Sequence, residues 1–236
     1  PLGGFRSEQN TRQWAPLHVA AERGNLSLFQ YISLKEITHI QSVLKIQLCI
    51  TALRLAVQHG HLEVCQYIVN NISVERNVST DNYGRSIIHF AAMMGHVEVC
   101  KLLIENMQDK NPGDVDGVTP FHLAANSGHL DICKLIIENV QNLNPGSNDG
   151  NTPLHMAAEG GEMDICKLIL ESLQKENLGS IQPNFAVDGQ ICKLNIENPM
   201  NDFGYTPFDM AESFGQSKVC EYINSFVKKE NPAAEY

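Results

Sequence analysis

Histidine and cysteine are the residues of this chain best equipped for chemistry, and their spacing decides which chemistry is open to them. There are nine histidines and seven cysteines. His18, His89, His122 and His155 each close a four-residue block: Ala15-Pro-Leu-His18, Ser86-Ile-Ile-His89, Thr119-Pro-Phe-His122 and Thr152-Pro-Leu-His155. His61, His96 and His129 each follow a glycine, and Cys65, Cys100, Cys133, Cys166 and Cys220 recur at one place in a second block. A tetrahedral metal site needs its ligands to converge on one point. Ligands repeated a structural unit apart along the chain do not converge. The cysteine count is odd and no CxxC pair occurs, which argues against a disulfide framework or a zinc ribbon. No Gly-rich phosphate loop, HExxH or GxSxG is present, so an enzyme is the reading with least support. The histidines are expected to bridge backbone groups between helices and turns, and the cysteines to serve as small buried hydrophobes. No cofactor, metal or small-molecule substrate is expected.

That periodicity has to come from elements that repeat. The four histidine blocks are joined by Thr51-Ala-Leu-Arg54 and Thr206-Pro-Phe-Asp209, with first residues 36, 35, 33, 33 and 54 apart. Eleven residues after Ser86, Thr119 and Thr152 begin Val97-Glu-Val-Cys-Lys-Leu-Leu-Ile-Glu105, Leu130-Asp-Ile-Cys-Lys-Leu-Ile-Ile-Glu138 and Met163-Asp-Ile-Cys-Lys-Leu-Ile-Leu-Glu171. Thr119 suits a helix N-cap, and Pro120 suits the first helical position, where a missing N–H costs nothing. Gly128 suits the left-handed end of that helix. Leu130, Ile132, Cys133, Leu135, Ile136 and Ile137 then form a helix apolar on more than one stripe, which neighbours must cover. Asp116-Gly117 and Asp149-Gly150 mark tight turns between units.

These blocks resemble the ankyrin repeat, with its period near 33 and its T-P-L-H-x-A signature. The likeness covers roughly residues 11–228 and is strongest in the third to fifth repeats. It implies an all-α solenoid of helix-turn-helix units joined by β-turns, with six repeats starting near 12, 48, 83, 116, 149 and 203. Pro1-Leu-Gly-Gly4 looks like the remnant of a cleaved tag, so residues 1–10 stand outside the fold, and residues 229–236 read as a frayed tail.

Two connections are irregular. Residues 33–50 read either as a divergent loop packed on the first repeat or as an apolar contact surface. The spacing of 54 before the last block leaves an insertion at about 181–201, centred on Asp188-Gly189. A two-residue turn there would oppose Val187 to Gln190 and Phe185 to Cys192, giving a β-hairpin with one apolar side. Ile191-Cys-Lys-Leu-Asn-Ile-Glu-Asn198 also supports a decayed second helix as the alternative.

The net charge is −10 and no Lys/Arg block exceeds two residues, so nucleic acid is not the expected partner. No apolar run reaches membrane-spanning length and no signal segment opens the sequence, so a reducing, cytoplasmic setting is expected.

The resemblance implies a concave binding surface of turn tips and exposed first-helix positions. Its candidates for partner binding are Trp14, Tyr83, Arg85, Met93, Met94, Asn126, Glu159, Phe203, Tyr205 and Phe214. Several are large and apolar, the composition enriched at interface hot spots. The expected function is a non-catalytic adaptor or scaffold holding a partner protein or extended peptide. The alternative is a substrate-recognition or regulatory domain of a larger protein, such as a ubiquitin-ligase subunit or a channel.

Overall fold

The computed structural model describes residues 16–35, 42–71, 81–180 and 199–230. The chain divides into two compact units, Pro1–Asp109 and Lys110–Tyr236. The first holds α1 (Pro16–Glu22), α2 (Leu26–Lys35), α3 (Ser42–Gln58), α4 (Leu62–Asn71), α5 (Ile87–Met94) and α6 (Val97–Asn106). The second holds α7 (Pro120–Asn126), α8 (Leu130–Ile137), α9 (Pro153–Gly160), α10 (Met163–Ser180), α11 (Pro207–Ser213) and α12 (Ser217–Glu230). No strand occurs among the described residues. Helices come in antiparallel pairs. Within the first unit α1, α3 and α5 form one layer and α2, α4 and α6 the other. Within the second, α7, α9 and α11 stack on one side and α8, α10 and α12 on the other.

Local sequence explains the pairing. Ser86, Thr119, Thr152 and Thr206 each cap a first helix, and Pro120, Pro153 and Pro207 open theirs. Ala124 and Ala125, like Ala157 and Ala158, are fully buried, and their small side chains let the neighbouring helices close in. The second helices alternate cleanly: Ile132, Cys133 and Ile136 are buried while Asp131 and Lys134 face solvent. Burial pushes the thiols of Cys65, Cys100, Cys133 and Cys166 up to about 12, so these sulfurs remain protonated packing groups at neutral pH. Cys220 is only half-buried.

The histidines fasten one pair to the next. The backbone N–H of Thr119 donates to His122 Nδ1 at 3.1 Å, and His122 Nε2 lies 2.8 Å from the carbonyl of Asn151 in the following turn. A ring that accepts at Nδ1 must carry its proton on Nε2, so the neutral ring donates to that carbonyl. His155 repeats the arrangement with Thr152 N–H (3.1 Å) and the carbonyl of Tyr205 (3.0 Å). Burial, more than any charge, lowers the pKa of His155 and brings that of His122 down to about 4. In the last pair Asp209 replaces histidine; its carboxylate accepts the Thr206 amide and hydroxyl, both at 2.7 Å.

A second set of fasteners sits at the other end of the pairs. His61 Nε2 lies 2.7 Å from the Glu22 carbonyl and His96 Nε2 3.0 Å from that of Gln58. Gln216 donates to the Glu159 carbonyl at 3.4 Å in the second unit. These contacts fix the glycines that precede them: a Cβ on Gly60, whose φ is +71°, would stand 2.6 Å from His96 Nδ1.

Two sequence expectations change. Residues 33–50 are not a loop over most of their length: α2 continues to Lys35, and α3 starts at Ser42 and runs unbroken for 17 residues. Thr51 therefore lies inside a helix, because no proline or glycine separates it from the aliphatic run before it. The second change concerns α10, which runs to Ser180, whereas the equivalent helix of the preceding pair, α8, ends at Ile137. The expected hairpin falls on residues outside the described set except at 199–201, as do residues 1–10, Trp14 and the end of the tail at 231–236.

Two outcomes are expected. Ile132→Ala empties a fully buried position and should cost about 2–5 kcal/mol in denaturant unfolding; an unchanged midpoint would contradict its place in the core. For His122, the folded state binds its proton only near pH 4 whereas the unfolded chain binds it near 6.5. The unfolded state thus holds more protons in that window, and stability is present above about 6.5 and lost as pH falls toward 4. Relief of acidic repulsion acts in the opposite direction, so the comparison is with His122→Gln. Between pH 7 and pH 5 the parent should lose stability relative to the variant by roughly 2 kcal/mol. Parallel stability–pH curves would refute the assignment.

Candidate partner-binding surface

The surface is built on turns that the side chains hold rigid. In the first unit, Asp81 Oδ1 accepts the amides of Tyr83 and Arg85, both at 2.9 Å. In the second, Asp114 Oδ1 accepts those of Asp116 (3.0 Å) and Val118 (2.9 Å), and Asn201 Oδ1 those of Phe203 (3.1 Å) and Tyr205 (2.9 Å). Ser147 Oγ accepts the Asn151 amide at 3.2 Å. Each of these residues stands five places before its helix cap. That offset is visible in the sequence, as a short polar residue five places before each Ser or Thr cap.

Adjacent turns in the second unit are joined directly. The Asn148 amide donates to the Asp116 carbonyl at 2.8 Å, and Asn148 Nδ2 to that of Val115 at 3.0 Å. The Asp202 amide donates to the Asp149 carbonyl at 2.9 Å, and Asn201 Nδ2 to Asn151 Oδ1 at 2.8 Å. Three consecutive tips are therefore one continuous backbone ridge. Such a ridge presents its outward side chains with little conformational freedom left to lose on binding.

In the first unit, Tyr83 is 61% exposed at a turn tip and Met94 is exposed at the end of α5, while Met93 is half-buried. Arg85 is engaged inside the molecule: its guanidinium pairs with Asp81 at 2.7 Å and lies 5.0 Å from the Tyr83 ring centre and 5.1 Å from that of Phe90. Arg54 approaches Phe90 as well, at 5.6 Å. Burial alone would raise the Asp81 pKa, but hydrogen bonds from the Arg85 side chain and from the Arg85 and Tyr83 amides hold it below its ordinary value. Arg85 therefore orients Tyr83.

In the second unit, Phe203 (68% exposed) and Tyr205 (48%) share the turn 201–205. Phe214 is exposed at the far end of α11, about 10 Å of helix away. Asn126 is exposed and Glu159 half-buried, with its carbonyl bonded to Gln216. Sequence reasoning missed Val115 and Met200, both exposed beside turn tips, and Leu28 and Tyr31, which with Leu34 line an exposed face of α2. Among the described residues, no three His, Cys, Asp or Glu side chains gather as metal ligands, and no helix is long and apolar enough to cross a membrane.

Comparison with protein families agrees with this architecture. The family model described as ankyrin repeats (3 copies) matches two segments, residues 17–114 and 107–180. A comparison with curated proteins finds no match. Ankyrin repeats are in general protein–protein interaction modules. With the matched segments spanning well over half of its length, the chain belongs to the ankyrin-repeat family.

Proposed function

We propose that this protein is a non-catalytic interaction module, an adaptor or scaffold of the cytoplasm, that holds a partner protein or extended peptide on the turn-and-first-helix face of the Lys110–Tyr236 unit. The observation that carries the reading is where large apolar side chains remain in water. All five such residues described in this unit, Val115, Met200, Phe203, Tyr205 and Phe214, stand beside turn tips or at a first-helix end. The outward positions of the second helices α8 and α10 carry charge instead, Asp131 and Lys134 on α8 and Asp164 and Lys167 on α10. This unit thus separates a solvated face from an apolar one. Water-exposed aromatics on a rigid backbone suit a surface that is covered when a partner arrives. A wide, ridged face matches a protein segment better than a small molecule, which needs an enclosing pocket.

The test is capture of partners from native lysate on the parent protein, followed by calorimetry of the captured partner against variants. Tyr205→Ala and Phe214→Ala should each weaken binding by more than about 1 kcal/mol. Affinity unchanged in both, with melting midpoints preserved, would place the contact elsewhere.

A further inference from the structure

The acidic side chains of this face divide into two kinds. Within residues 113–127, 146–160 and 200–214, Asp114 and Asp209 are consumed by the hydrogen bonds that hold a turn and a helix cap. Asp116, Asp149, Asp202 and Glu212 are exposed, and Glu159 is half-buried. The first three occupy consecutive turn tips, which the Asn148-to-Asp116 and Asp202-to-Asp149 backbone bonds, 2.8 and 2.9 Å, tie into one ridge. The same three segments contain no lysine or arginine. The cations of this unit lie elsewhere, with Lys134, Lys167 and Lys218 on the second helices. Lys134 and Lys167 are moreover paired there with Asp131 and Asp164. Apolar groups stand beside the outer two of these acids: Val115 precedes Asp116, and Phe203 follows Asp202.

General solubility does not require this partition, since acids scattered over both helix layers would serve equally. A row of like charges on a fixed ridge raises its own electrostatic energy, which a cationic partner lowers. Nucleic acid is repelled by the same field. We propose that the ridge takes an extended protein segment in which lysine or arginine recurs among aliphatic or aromatic residues. The inference deepens the docking role assigned above and rests on it. It also sets a spacing. Stacked helices lie about 8–10 Å apart, and an extended segment of polyproline-II form advances about 3.1 Å per residue with every third side chain on the same face. A segment running along the ridge would therefore meet successive aspartates with a basic side chain at about every third residue.

A random 12-residue peptide library displayed on phage and panned against the full chain tests this. The selected peptides should be enriched in Lys and Arg spaced about three apart, with aromatic or aliphatic residues between. Their affinity should fall about tenfold or more in the Asp116→Asn/Asp149→Asn/Asp202→Asn variant, whose backbone bonds are untouched. Exchanging the peptide's own basic residues for glutamate should abolish binding to the unaltered protein, a measurement that needs no variant to fold. Phe203→Ser should weaken the same peptides. Peptides that lose affinity on Phe203→Ser but are indifferent both to the triple exchange and to their own charge inversion would overturn the basic-segment inference and leave the docking role standing. Selected peptides indifferent to Phe203→Ser as well, or no enrichment over a control protein, would overturn both.

Discussion

The His122 ring accepts a hydrogen bond from an amide at one nitrogen and donates one to the next turn from the other, and the stacking of the second unit depends on that pair of bonds. The Thr119 amide is one of the orphan donors at a helix start, and the Asn151 carbonyl belongs to a turn 29 residues on. One buried ring satisfies both. Only the neutral form with hydrogen on Nε2 can do so, and only if the neighbouring turn stands where its carbonyl is required. Local capping and long-range register are thus settled by one tautomer. An unsatisfied buried partner costs about 1–3 kcal/mol, enough to discriminate against a slipped neighbour.

From that fastening the binding surface follows. The first helices are drawn together by the histidines at their starts and by His61, His96 and Gln216 at the opposite ends. Asp81, Asp114, Ser147 and Asn201 fold each turn back on itself before any partner is present. Apart from Asn148, whose Nδ2 bonds the Val115 carbonyl, the turns do not rely on their tip side chains, and large apolar groups such as Val115 and Phe203 can occupy those places. Arg85 shows the limit of that freedom, since an arginine beside a turn aspartate becomes part of the turn.

Much of this was legible in the sequence because the residues that fasten the stack are the ones that repeat. Thr119, Pro120, His122 and Gly128 announced a cap, a first turn, a bridge and an end, and the structure uses each in that role. Readability failed where repetition failed. The continuous α3 could not be foreseen from a repeat template, because a template assumes a break before Thr51 that the residues themselves do not supply. Extension of α10 to Ser180 has the same origin. The position of a side chain within the surface was harder still to read: Val115 and Phe203 are exposed while Val99 and Phe121 are buried, and only the turn register separates them.

Asp209 has a further consequence. A histidine at that place would offer an N–H to any turn that followed, whereas a carboxylate presents only lone pairs, and its Oδ2 already holds the Thr206 amide. A carbonyl from another copy of the chain arriving at this end would meet an acceptor facing an acceptor. The residue therefore completes its own helix start and turns only lone pairs outward.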